Sequence, residues 1–269
     1  MVRPKRSLSQ NFLVDHNIRR KLVETLGAGP DDVVLEVGPG HGELSELLVG
    51  KVRRLVLVEK DDRLAPQLAR RWGDRDDVAV VHGDALEEDL SALVADASRL
   101  RLISNLPYAI TSPLIFRLLD VTPPADRIVV LVQEEVARRV TADPGGKEYG
   151  ALTVGVRTQA VAELAFTVAR TAFRPVPGVD SAALVLEPID GPSGARRSRL
   201  RDLVRAAFSR RRKQLQTILR SAPEYGLDAH EAEAILTSLG IDPRARPETL
   251  SPGQFMALAD RLEEGGVVG

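Results

Sequence analysis

Five short runs of valine, leucine and isoleucine recur along the first half of the chain: Val33–Val37, Leu55–Val58, Val78–Val81, Leu100–Ile103 and Ile128–Val132. Apolar runs of this length suit strands buried on both faces. The amphipathic stretches between them, Glu43–Val49, Asp61–Trp72, Glu88–Ala97, Pro113–Leu119 and Glu134–Thr141, supply the crossovers that parallel strands need. The alternation predicts an α/β fold, a parallel sheet with helices on both faces. One further helix is expected ahead of the sheet, with Asp15 as its N-cap, Ile18, Leu22 and Leu26 on one face, and Gly27 as its stop.

After about Tyr149 the pattern changes. One helix precedes two strand-like runs, Ala160–Val168 and Ser181–Leu186, which are joined through the Pro-rich segment Phe173–Gly178 and read as an antiparallel hairpin closing the sheet edge. Pro188–Gly194, with two prolines and two glycines, reads as a linker. Beyond it the periodicity predicts helices over Arg199–Arg220, His230–Leu239 and Pro252–Leu262. The expected division is a sheet domain over 1–187 and a small α-helical domain over 188–269. A chain of 269 residues, 43% of them hydrophobic, can bury a core in each.

There is no cysteine, which excludes disulfides, thiolate metal sites and a cysteine nucleophile. His16, His41, His82 and His230 lie too far apart for a helical two-His metal pair, so no metal is expected. No apolar run approaches the roughly 18 to 20 residues of a membrane span, and no apolar signal segment follows Met-Val-Arg-Pro-Lys-Arg. The expectation is a cytoplasmic monomer with no membrane partner. The net charge of −1 does not advertise a nucleic-acid partner, but the distribution of charge does. Between Arg196 and Arg220 there are ten Arg or Lys against one acid, Asp202, and Arg3, Lys5, Arg6, Arg19, Arg20 and Lys21 form a second basic stretch. Either run alone reads equally well as a solvated face.

The first strand runs into Gly38-Pro39-Gly40-His41-Gly42 and then a helix, placing a glycine turn where ligands of open α/β sheets bind. By itself this reads equally as a plain strand-to-helix turn. A dinucleotide fingerprint requires glycine or alanine three residues after the second glycine, where this chain has Glu43, whose carboxylate would face a pyrophosphate. The spacing resembles instead that of class I methyltransferases, whose cofactor carries a sulfonium and no phosphate. Glu59, at the end of the second strand, can accept hydrogen bonds from both hydroxyls of a ribose. Asp84, in His82-Gly83-Asp84-Ala85 at the end of the third, can accept from an adenine amino group.

The fourth strand ends in Ser104-Asn105-Leu106-Pro107-Tyr108, the most specific motif in the chain. An adenine amino nitrogen is a poor nucleophile because its lone pair is delocalised into the ring. The Asn105 side-chain oxygen and the Leu106 carbonyl could each accept one N6–H, favouring a more tetrahedral nitrogen. Pro107 fixes the turn that aims the carbonyl, and Tyr108 offers a ring on which the base can stack. No general base is required, because the nitrogen becomes positive in the transition state and loses its proton afterwards. An Asx-Pro loop with a half-buried tyrosine is the alternative reading. Phe173 alone would read as core, but its Pro-rich loop follows a base-binding motif.

Taken in order, Gln10-Asn11-Phe12-Leu13, Gly38-x-Gly40-x-Gly42, Glu59, Gly83-Asp84-Ala85, Asn105-Leu106-Pro107-Tyr108 and Phe173-x-Pro175-x-Pro177-x-Val179-Asp180-Ser181 resemble the ribosomal RNA adenine N6-dimethyltransferases, in particular the bacterial small-subunit (16S) dimethyladenosine transferases. The resemblance extends through Arg210-Arg211-Arg212-Lys213 to the tail Arg246–Ser251. It implies a Rossmann-like class I methyltransferase domain with a helical C-terminal RNA-docking domain. It further implies S-adenosylmethionine held by Asn11, Leu13, Gly38, Gly40, Glu59, Asp84, Ala85 and Asn105. The target adenine would lie between Tyr108 and Phe173, and Arg210, Arg211, Arg212 and Lys213 would bind RNA. The implied partner is the immature 30S subunit, and the implied product is two adjacent dimethyladenosines in a hairpin loop near the 3′ end of its RNA. Macrolide-resistance methyltransferases of large-subunit RNA share most motifs, but Leu106, the basic segment and the tail stand against them. A DNA adenine methyltransferase would need a target-recognition domain that this short chain does not offer. A non-catalytic ribosome-assembly or transcription factor would not need the intact motifs.

Overall fold

A computed structural model describes residues 10–264; Arg3, Lys5 and Arg6 of the basic N-terminal stretch lie outside them. The chain forms two compact units. The first runs to Ala137 and resumes over Val161–Pro188, and the second comprises Arg138–Ala160 and the chain from Ile189 onward. The chain thus crosses between units three times, where the sequence reading expected one boundary at 187/188.

In the first unit the apolar runs become strands. Its elements begin with β1 (Phe12–Leu13), α1 (His16–Leu26), β2 (Val33–Val37), α2 (Ser45–Leu48), β3 (Arg54–Glu59), α3 (Ala65–Trp72), β4 (Val78–His82) and α4 (Leu90–Leu93). They continue with β5 (Leu100–Asn105), α5 (Thr111–Leu119), β6 (Arg127–Gln133) and α6 (Glu134–Thr141), the last of which passes into the second unit. After α7 (Ala151–Arg157) the chain adds β7 (Ala160–Val168), β8 (Phe173–Arg174) and β9 (Ser181–Pro188). Helix α1 is delimited as its sequence dictates: the Asp15 carboxylate accepts from the Asn17 and Ile18 amides, and Gly27 closes the helix at φ +63°.

The large sheet has the order β4-β3-β2-β5-β6-β9-β7. Strands β2 to β6 are parallel, and β9 lies antiparallel to β6, with Ser181 opposite Gln133. The two runs of the expected hairpin, β7 and β9, close this edge of the sheet, with β9 against β6 and β7 outermost. Buried and exposed residues alternate along β7, as suits an edge strand, whereas every residue of β2 is buried. One face of the sheet presents Val34, Leu55, Leu57, Ile103 and Leu131 to a core shared with Leu22, Leu26, Leu68 and Trp72. From β2 the chain proceeds outward through β3 to β4 and then returns to place β5 on the other side of β2. The strand order therefore reverses between β2 and β5, the position at which such sheets bind ligands.

The second unit packs α7 with α8 (Gly194–Ser209), α9 (Leu215–Ser221), α10 (Ala229–Ser238) and α11 (Pro252–Glu264) around Leu203, Leu219, Leu236 and Phe255. Tyr149 and Val154 belong to this core, and the Tyr149 hydroxyl donates to the Leu250 carbonyl at 2.6 Å, which explains why 138–160 joins this unit. The single helix expected over Arg199–Arg220 is broken at 210–214. The Leu215 and Gln216 amides, which a continuous helix would satisfy from the preceding turn, donate instead to the Ala245 and Pro243 carbonyls, at 2.8 and 3.1 Å. Arg210–Lys213 consequently lies on a connection and not on a helix.

Candidate active site

The ends of β2, β3, β4 and β5 are in register: Val37 lies opposite Val58 and Ser104, and Glu59 opposite His82. The segments that follow surround a cavity of about 190 Å³. Asn11, Leu13, Gly38, Gly40, Glu59, Asp84, Ala85, Asn105, Leu106, Pro107 and Tyr108 all line it. Strand β1 crosses one side, held by pairing of Leu13 with Phe173.

The glycine turn is shaped by what surrounds it. Gly38, at φ +67°, leaves open space where a Cβ would project, so the cavity approaches the backbone directly. At Gly42, φ +85°, a Cβ would fall 2.4 Å from the Trp72 ring. Glu59 is buried; one oxygen accepts from the Gly40 amide at 3.0 Å and the other from the Asp61 amide at 2.8 Å. Each oxygen keeps a lone pair for a ligand donor. Burial pushes the Glu59 carboxyl up. Burial also tends to raise Asp84, but the Lys60 ammonium and the Leu86 amide together carry it below the usual carboxylate value.

Sequence reasoning missed Glu36, although it precedes the glycine turn by two residues, and placed the Glu43 carboxylate toward the ligand, where it does line the cavity. Glu36 is 1% exposed, accepts from the Ser45 hydroxyl at 2.6 Å, and is pushed up to about 8 by burial. Glu43, also raised by burial, accepts from the His41 amide at 3.1 Å. With Glu59 they make three carboxyls lining one cavity. Glu36, protonated at its raised value, adds no charge, but Glu43 and Glu59, when ionised, favour a cationic ligand and repel a pyrophosphate.

At the acceptor side the Asn105 Nδ2 donates to the Asn11 carbonyl at 2.9 Å, which leaves Oδ1 as the side chain's accepting atom. The Leu106 amide donates to the Leu131 carbonyl at 3.0 Å, and among the described residues no donor reaches the Leu106 carbonyl. The Tyr108 ring borders the cavity, its hydroxyl 2.6 Å from Ser181 Oγ. Burial raises the Tyr108 phenol. Phe173 is placed apart from the other predicted site residues: it is 0% exposed within the core and is not among the residues that line the cavity, and β8, which it opens, pairs with β1.

Arg210–Lys213 belong to the second unit. Arg211 donates to the Lys147 and Gly146 carbonyls at 3.2 Å and lies 3.8 Å from Glu248. Arg196 and Arg199 pair with Asp260 and Glu263, so part of the basic excess is compensated. Arg212 and Lys213 are exposed and form no ion pair among the described residues. Among those residues no helix is long and apolar enough to cross a membrane, and no group of three His, Asp or Glu could hold a metal ion.

A glycine turn at the switch point of this sheet, followed by acidic residues at the next two strand ends, defines a Rossmann-like class I methyltransferase. The chain belongs to the ribosomal RNA adenine dimethylase family, whose model matches residues 1–264. Similar chains named ribosomal RNA small subunit methyltransferase A include one from Nitratidesulfovibrio vulgaris, 42% identical over 263 residues and 97% of each chain. Another, from Geobacillus thermodenitrificans, is 40% identical over 265 residues, 96% of this chain and 90% of the relative. The solved 23S rRNA methyltransferase ErmE is 30% identical, with a TM-score of 0.70 over 94% of this chain and all of its own. A dimethyladenosine transferase from Plasmodium falciparum shares the fold, with a TM-score of 0.82 and 24% identity over 95% of this chain and 98% of its own.

Proposed function

We propose that the chain uses S-adenosylmethionine to dimethylate N6 of two adjacent adenosines in a hairpin loop near the 3′ end of small-subunit ribosomal RNA. It acts in the cytoplasm as a monomer on the immature 30S subunit. The supporting observation is the placement of Asn105-Leu106-Pro107-Tyr108 on the wall of the same cavity as the glycine turn, with Asn105 Oδ1 and the Leu106 carbonyl both available as acceptors. Gly38, Gly40, Glu59, Asp84, Ala85, Asn11 and Leu13 would hold the cofactor, with Glu59 accepting from the ribose hydroxyls and Asp84 from the adenine amino group. When bound, S-adenosylmethionine supplies an electrophilic methyl on a cationic sulfur.

In the first transfer Asn105 and Leu106 accept the two N6 hydrogens, and in the second one of them accepts the single hydrogen that remains, which localises the nitrogen lone pair and aims it. Tyr108 supports the base by stacking. The positive charge that develops on the nitrogen is stabilised by the same two acceptors, and the proton leaves to solvent without a dedicated base. Catalysis belongs to the first unit and RNA docking to the second, through Arg212 and Lys213 and, in the folded subunit, Arg210 and Arg211.

Base stacking is worth roughly 1 to 3 kcal/mol. Tyr108→Ala should therefore lower methyl transfer to small-subunit RNA by about tenfold or more, while calorimetry finds S-adenosylmethionine affinity nearly intact. Wild-type methylation in that variant overturns the acceptor assignment.

A further inference from the structure

Ser181 opens β9 just after the Pro-rich segment and is 0% exposed. Its Oγ lies 2.6 Å from the hydroxyl of Tyr108, 73 residues earlier in the chain, and this is the hydrogen bond made by the Tyr108 phenol among the described residues. The other end of Tyr108 is also fixed. Pro107, at φ −60°, leads into a single 3₁₀ turn over Tyr108–Ile110, closed by the Ile110 amide on the Pro107 carbonyl at 3.2 Å. The Thr111 hydroxyl reaches both the Pro107 and Tyr108 carbonyls. The side chain is thus held at its root by the turn and at its tip by Ser181. Neighbouring Asp180 is engaged elsewhere, accepting from the Arg170 amide at 2.8 Å.

We propose that Ser181 is a positioning residue for the methyl acceptor: its hydroxyl pins the tip of Tyr108, so that the ring presents one fixed face to the base. The inference rests on the reading of Tyr108 as the base's platform. Rotation of a tyrosine about its Cα–Cβ bond swings the hydroxyl far from any partner, so a hydrogen bond at the tip selects a single orientation. Phe173, the other aromatic candidate, is buried in the core and is not among the residues that line the cavity, so Tyr108 is the aromatic platform the cavity presents. A base tilted with a loose Tyr108 would carry its amino group away from Asn105 Oδ1 and the Leu106 carbonyl, and such misplacement acts on turnover and not on cofactor binding. The segment that follows the Pro-rich loop thereby contributes to the chemistry through Ser181.

The test is a double-mutant cycle read as kcat on small-subunit RNA at saturating S-adenosylmethionine. Ser181→Ala and Tyr108→Phe should each lower kcat about three- to tenfold, the scale of one lost neutral hydrogen bond. The double variant should be no slower than the slower single, and calorimetric S-adenosylmethionine affinity should be unchanged in all three. Multiplying losses, or a parallel loss of cofactor affinity, would reduce Ser181 to a strand-end staple and overturn the proposal. If Ser181→Ala fails to fold, Tyr108→Phe removes the same bond from the half-buried side, and full kcat in that variant also overturns it. The platform reading fails separately, through wild-type rates in Tyr108→Ala.

Discussion

Glu36 shows how a single buried group sets the pH dependence of the fold. Burial holds its carboxyl at about 8, well above the ordinary 4.5, with the Ser45 hydroxyl as its hydrogen-bond partner. The fold therefore favours the protonated acid. That contribution is complete below the unfolded value of 4.5 and is lost as pH rises through about 8, where the folded chain must also ionise it. Glu36→Gln keeps the shape and removes the charge, so its Tm relative to wild type should rise between pH 6 and pH 9. An unchanged difference across that range would show that Glu36 is already ionised in the fold below pH 6, against the raised value. At this scale the sequence was most legible where the chemistry is local: Asn105, Pro107 and Tyr108 are neighbours in the chain, and their roles can be argued from one pentapeptide. The burial of Phe173 was not legible, because it pairs with Leu13 from the other end of the first unit, which no local pattern displays.

The elements follow the same division. Strands β2, β3, β5 and β6 were legible because largely buried residues leave unbroken apolar runs, and α1 because Asp15 and Gly27 cap it from adjacent positions. The break between α8 and α9 was not legible, since the carbonyls of Pro243 and Ala245 that replace the helical acceptors lie far along the chain. The glycine turn before α2 is tied to α3 in a way the motif alone conceals. Gly42 is in the left-handed region, and a Cβ there would fall 2.4 Å from Cη2 of Trp72, which is packed in the core. Gly42→Ala should cost about 2 to 4 kcal/mol from backbone strain and overpacking together. Urea unfolding would measure it, and a variant as stable as wild type would show that Trp72 moves aside freely.

Over the whole molecule, one unit is built round the cavity and the other carries the exposed cations Arg212 and Lys213. Net charge conceals the basic segment, since acids elsewhere cancel its ten-to-one excess and partners such as Asp260 and Glu263 cancel part of it in space. Phosphate contacts release counterions, so Arg212→Ala with Lys213→Ala should weaken binding to small subunits and reduce the salt slope by about one per lost contact. S-adenosylmethionine affinity should not change; a wild-type slope would leave these residues a solvated face. The most direct test of the function is to incubate the protein with S-adenosylmethionine and either immature small subunits or large-subunit RNA, then map the modified bases by mass spectrometry. The expected result is N6,N6-dimethyladenosine at two adjacent positions in the small-subunit RNA and none in the large. Methylation of large-subunit adenine alone, or of neither RNA, would contradict the assignment.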